Sequence, residues 1–174
     1  MPVPLVNQVA AIVQPFADFY ASSKAMSAVT TTLHIGGLLA GGGLAIATDR
    51  AVLRVPRDDW RAQRTALFDL AATHRLVIGA LVAMGLSGAM FLAADVKTFA
   101  VSRVYWIKMA LVLVLLLNGL RLRRAETRVN RSTQEAGADA LVSPPEWAVL
   151  RQSAILSLLL WFTIMTLGVV LANS

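Results

Sequence analysis

The chain has 174 residues, 57% of them hydrophobic and 15% charged, with a mean hydropathy of +0.65 and a formal net charge of +6. Soluble domains carry roughly a quarter charged residues, so this composition describes a single integral membrane domain. The absence of cysteine excludes disulfides, thiolate metal sites and thioether haem attachment, and basic residues set beside apolar runs suit an anionic membrane surface rather than nucleic acid.

Residues 1–24 come first. Met1-Pro2-Val3-Pro4 lacks the basic start of a cleaved signal peptide, so the spans themselves are expected to direct insertion. Leu5, Val6, Val9, Ile12, Val13, Phe16, Phe19 and Tyr20 recur at helical spacing around Pro15. A run of about 16 residues is too short to cross a bilayer. It predicts an amphipathic helix in the interface, serving either as a cover over the bundle mouth or as a simple anchor.

The first span is predicted at 25–48, ended by Asp49-Arg50. The polar segment 49–73 follows. Pro56 with Asp58 and Asp59 marks a helix start there, acids at the positive end of the dipole. That helix carries Trp60, Leu67, Phe68 and Leu70 into the second span at 74–94. The third span, 104–120, opens with Tyr105 and Trp106 at interface depth. It leaves through Arg121, Arg123, Arg124, Arg128 and Arg131 as a helix projecting past the bilayer, until Gly137 breaks it. Ser143-Pro144-Pro145-Glu146 is a capping-box pattern with proline at the first helical position, and the fourth span follows at 154–171. The predicted fold is all-α, an antiparallel four-helix membrane bundle with an N-terminal interfacial helix.

Arginine counts orient the bundle. The segments 49–73 and 121–150 hold most of the arginines, whereas Lys24, Lys97 and Arg103 stand on the other side. The positive-inside rule makes the two arginine-rich segments cytoplasmic and both termini extracytoplasmic, in a bacterial inner membrane.

A histidine inside a span is costly unless paired, ligated or wet. His34 lies about 12 to 14 Å below the outer boundary and Lys108 about 6 to 8 Å, in the same leaflet. Gly37 and Gly41 share the His34 face of the helix, so a flat group or another helix can approach it. Gly36, Gly37 and Gly41-Gly42-Gly43 are a close-packing signal; with no preceding strand they are not a phosphate loop. His34 has three readings: a neutral imidazole bonded to a carbonyl, Thr30 or Thr31; an axial haem ligand; or a proton or metal-ion site. Lys108 either snorkels outward or holds an anionic group such as a haem propionate. Met90, with Ser87, Met109, Met165 and Thr166, lies at a similar depth. Its thioether would complete an axial pair or simply fill a gap. His74 differs from His34 in depth by about 10 to 18 Å, which argues against one bis-histidine haem. His74-Arg75 reads as an interfacial anchor. Asp49-Arg50 reads as the inner cap of the first span, with an ion pair to Arg75 or Arg121 as a second reading. Asn118 is placed to bond between helices.

Leu33-His34 with its glycines and Asp49-Arg50, then Ser87-Gly88-Ala89-Met90-Phe91-Leu92-Ala93, Tyr105-Trp106-Ile107-Lys108-Met109 and Asn118 resemble the first three spans of small bacterial four-helix membrane proteins of unknown function. The Trp-x-Lys stretch is similar to the membrane domain of copper-resistance protein D and to HemJ-type protoporphyrinogen oxidases. The resemblance covers about residues 30–120. It implies a haem-associated site at His34 and Lys108. The third span closes on Asn118-Gly119 where HemJ-type proteins usually carry a histidine.

Two functions are therefore expected to compete. One is a b-type haem protein with an electron-transfer or oxidoreductase role, His34 being the axial ligand, with Gly37, Gly41, Met90 and Lys108 around the cofactor. The other is a cofactor-free accessory or scaffold subunit bound to a membrane-protein partner or to further copies of itself. A transporter is disfavoured by the lack of an acid in mid-membrane and of a broken helix pair.

Overall fold

The computed structural model describes residues 3–56, 58–136 and 144–173. They form seven α-helices and, among the described residues, no strand: α1 Val3–Ser22, α2 Lys24–Gly37, α3 Gly43–Arg54, α4 Trp60–Ala94, α5 Val96–Val101, α6 Arg103–Ala136 and α7 Pro144–Ala172. A π-helical turn, Leu38–Gly42, joins α2 to α3 without interrupting the rod. Four stretches are long and apolar enough to cross a membrane: Lys24–Arg54, Trp60–Ala94, Arg103–Arg131 and Pro145–Ala172. They are compatible with a multi-pass membrane protein. Their outward surfaces carry Leu76, Val82, Leu86, Leu113, Leu117, Leu159, Phe162 and Val169, all exposed, as lipid-facing surfaces are.

Local signals set the boundaries. Ser23 caps α2 by accepting from the Met26 N–H at 3.2 Å. Asp59 caps α4 through the Ala62 N–H at 3.0 Å, so the helix start expected after Pro56 is found, and one helix runs unbroken into the second span. Asp95 caps α5 at the Thr98 N–H, 3.1 Å away. The short α5 was not anticipated. The Trp106 indole N–H ties it to α6 by donating to the Ala100 carbonyl at 2.9 Å. Gly137 and Ser143, expected to end one helix and cap the next, lie outside the described residues; α6 runs to Ala136 and α7 begins at Pro144.

With 35 and 34 residues, α4 and α6 are each about 50 Å long, against about 30 Å of hydrocarbon. Their excess packs rather than projecting alone. Val52, Leu67, Leu70, Leu122, Val129, Trp147, Leu150 and Ala154 bring the end of α3, the start of α4, the far half of α6 and the start of α7 into one core. This core lies among the segments with most arginines, so both of those segments end on the same side. A second core, in the middle, joins Ala45, Leu115, Leu160, Trp161 and Ile164. At the opposite end α1 buries Val6 and Ala10 against Val96 and Ala100 of α5.

Along the first span, α2 packs on α4 and on α1, whereas α3 packs on both α4 and α7. The glycines make this closeness possible. A Cβ on Gly37 would lie 2.7 Å from Met84 Cγ and 3.0 Å from the Ala80 carbonyl, and one on Gly41 would lie 2.7 Å from Ala80 Cβ. Gly42 faces α7 instead, where a Cβ would stand 3.1 Å from the Trp161 ring.

Candidate functional site

The N-terminal half of the first span holds the polar group that the sequence singles out. His34 is half-buried, and its Nδ1 lies 2.9 Å from Ser87 Oγ of α4. Ser87 is fully buried, with Oγ 2.8 Å from the Ala83 carbonyl and 3.1 Å from that of Met84. The Met84 carbonyl lies close to the ring. A carbonyl only accepts, and serine has a single proton to give, which its own helix takes. The shared proton therefore resides on His34 Nδ1, an assignment that rests on this network. In its neutral form such a ring has its lone pair on Nε2, and is able to ligate a metal or accept a proton through that nitrogen.

The surroundings are aromatic on one side and open on another. Phe91 meets the ring edge-on, with centroids 5.4 Å apart and planes at 75°. Tyr20 of α1 in turn meets Phe91 at 6.5 Å. Of the two roles open to the N-terminal helix, this contact matches a cover over the outer mouth. Gly88 of α4 lies on the Cε1 side, where a Cβ would stand at an ordinary contact distance of 3.7 Å from that carbon. Lys108 is the charged group whose field reaches His34. Its ammonium rests against α7, 3.4 Å from where a Cβ of Gly168 would be. Among the described residues no carboxylate pairs with it.

The predicted residues divide. His34, Ser87 and Lys108 come together at one end of the bundle. Met90 is one turn away, and its sulfur takes the Thr30 hydroxyl at 3.9 Å. Thr30 thus serves Met90 and not His34, and Ser87 is the hydroxyl partner of the histidine. Gly37 and Gly41 share the face of His34 as expected, but the occupant of that face is α4: Met84 and Ala80 fill the space a flat group would need. Met109 and Met165 are exposed. His74 stands thirteen residues before Ser87 on α4, about 20 Å along the axis, beside Arg123. The two histidines are therefore as far apart as their depths imply. Gly88, Phe91 and Gly168 were not singled out as site residues; only their places next to Ser87, one turn beyond it, and one turn before the end of α7 offered a signal.

At the other end, Asp49 corrects the expectation of an inner cap. The helix continues to Arg54, so Asp49 lies more than a turn inside it, 2% exposed, and takes the Ser157 hydroxyl of α7. Neither expected ion pair forms; Arg121 reaches Gln152 instead, at 3.4 Å. Asn118 does bond between helices, donating Nδ2 to the Ser153 carbonyl at 2.8 Å.

Among the described residues no three His, Cys, Asp or Glu side chains gather as a metal site. Comparison with protein families, with curated proteins and with solved structures finds no match to this chain.

Proposed function

We propose that this chain is an antiparallel four-helix bundle of the bacterial inner membrane, both termini extracytoplasmic, that binds a b-type haem through His34 and serves electron transfer or an oxidoreductase reaction. One observation carries the reading. His34 Nδ1 lies 2.9 Å from Ser87 Oγ, whose own proton serves α4, so a ring that donates Nδ1–H to Ser87 would leave Nε2 as the ligand atom. That is the arrangement by which proteins orient a metal-binding imidazole.

The donor set fits haem better than a bare ion. A lone histidine does not assemble a tetrahedral zinc site, whereas a porphyrin brings four nitrogens and asks the chain for one or two more. His34 would supply the first axial bond and Met90, one turn away, a second. Lys108 would hold an anionic substituent, its ammonium having no carboxylate partner among the described residues. Phe91 and Tyr20 would keep water from the ring. When bound, the haem supplies one-electron chemistry, and the chain supplies orientation, exclusion of water and a positive charge.

The test is an absorption spectrum of the detergent-purified protein, oxidised and dithionite-reduced. A Soret band that is lost or displaced in His34→Ala supports the assignment. One that persists unchanged in that variant removes His34 as ligand.

A second reading has its own support. Gly36 and Gly43 are exposed, with nothing within 4 Å of a Cβ on either, so part of the glycine-rich span has no partner among the described residues. A cofactor-free accessory subunit would use that surface against another membrane protein or a second copy. A colourless preparation that co-purifies with a defined partner, and loses it in Gly36→Leu or Gly43→Leu, would favour this reading.

A further inference from the structure

We propose that Asp49 of α3, Asn118 of α6 and Ser153 and Ser157 of α7 form a site for a sodium-sized monovalent cation. The four side chains meet in one layer. Ser153 and Ser157 are four residues apart, hence on one face of α7. In an α-helix the Ser153 carbonyl points toward the Ser157 N–H. Asn118 donates to that carbonyl, so its amide is level with Ser157; Asp49 lies on α3 between Ala45, which packs with Leu160 and Trp161, and Val52, which packs with Leu150 and Ala154, and so reaches α7 at the same level. This layer lies fifteen residues beyond His34 along the first span, about 22 Å away, and is independent of the haem reading.

The oxygens in the layer are unmatched. Asp49, Asn118 and Ser153 are 2%, 5% and 0% exposed. Yet Asp49 Oδ2, Asn118 Oδ1 and Ser153 Oγ have no hydrogen-bond partner. Ser153 stands out against its own kind. Thr48, Ser87, Thr163 and Thr166 each give their hydroxyl to a carbonyl of the preceding turn, the usual resort of a helical hydroxyl. Ser153 does not. A buried carboxylate without a cation is expensive inside a membrane span, and among the described residues no lysine or arginine pairs with Asp49.

The chemistry selects the occupant. Three unmatched oxygens, one of them on a carboxylate that carries a charge once it gives up its proton, ask for an acceptor of electron pairs and not for a further anion. A single carboxylate balances one positive charge, whereas calcium and magnesium sites draw on more acidic ligands or retained water. All three oxygens are sealed from water, which favours an ion smaller than a water molecule over potassium or an organic cation.

The experiment is thermal unfolding of the full chain in detergent as sodium chloride replaces choline chloride at constant ionic strength. The expected result is a saturable rise in Tm, about 5 to 10 °C once sodium exceeds its dissociation constant about a hundredfold, with potassium acting only at higher concentration. Asp49→Asn, which keeps the shape and removes the charge, should abolish the response, and Ser153→Ala should move its midpoint to higher sodium. Identical wild-type curves in sodium and choline overturn the proposal, as does an Asp49→Asn protein that still responds. Should Asp49→Asn fail to fold, the wild-type comparison decides alone. The response should also persist in His34→Ala, which separates this site from the haem reading.

Discussion

At the scale of single residues, the candidate haem site depends on how firmly one ring is held. Ser87 returns its own proton to α4 and receives that of His34, so its hydroxyl orients the imidazole without competing for Nε2. Ser87→Ala removes the hydrogen-bond partner of that ring nitrogen. Removing an outer-shell partner of a metal ligand typically costs 10- to 100-fold in affinity, and haem titration of Ser87→Ala should show a loss of about that size with the Soret position kept. An unaltered affinity would mean that the ring is positioned by Phe91 and packing alone. Lys108 makes a different prediction. Its ammonium has room because Gly168 lacks a side chain, so Gly168→Val should crowd it out. If Lys108 holds an anionic group, Gly168→Val and Lys108→Met should weaken haem binding alike while Lys108→Arg retains most of it. Equal binding in all three would leave Lys108 a snorkelling residue and nothing more.

At the scale of elements, the first span is built around the π-helical turn at Leu38–Gly42. Such turns change the register of a helix by about one residue and are frequent at functional sites. Here the turn lies between His34, which faces α4, and Asp49, which faces α7. The close approach of α4 can be tested without any cofactor. Gly41→Val forces branched carbon into a gap where even a Cβ would be 2.7 Å from Ala80 Cβ, whereas Gly43→Val meets nothing. Overpacking costs about 1 to 3 kcal/mol, so Gly41→Val should lower Tm clearly and Gly43→Val little. These contacts also show what the sequence could and could not tell. Spans, the Asp59 start of α4 and the shared face of His34, Gly37 and Gly41 were legible because each depends on local period or capping. The partner of His34 was not, because depth alone leaves several hydroxyls and thioethers at one level. Nor was the π turn, which reconciles two packing faces that are distant in sequence, or the burial of Asp49, whose exit from the span was inferred from its charge alone.

At the scale of the molecule, the arginine-rich end is a packed body in its own right. Val52, Leu67, Val129 and Leu150 hold segments of four helices together beyond the length a bilayer needs. Leu150 is 0% exposed, and Leu150→Ala should cost about 2 to 5 kcal/mol, read as a fall in Tm with the outer-end Soret band unmoved. The same core fixes the relative topology. Since it joins the segments that follow the first and third spans, both must emerge on one side whichever way the chain inserts. The absolute sense is set by charge: Arg50, Arg54, Arg61, Arg64, Arg121, Arg123, Arg124, Arg128 and Arg131 border this end, against Lys24, Lys97 and Arg103 at the other, and short basic segments resist translocation. Single cysteines in the otherwise cysteine-free chain give the measurement. Ser22→Cys and Asn173→Cys should react with a membrane-impermeant maleimide in intact spheroplasts, and Thr127→Cys only after permeabilisation. The inverse pattern would place His34 and Lys108 in the inner leaflet and the Asp49 layer in the outer one. A haem at His34 would then face cytoplasmic electron donors, and the proposed sodium site would open to the side where sodium is abundant.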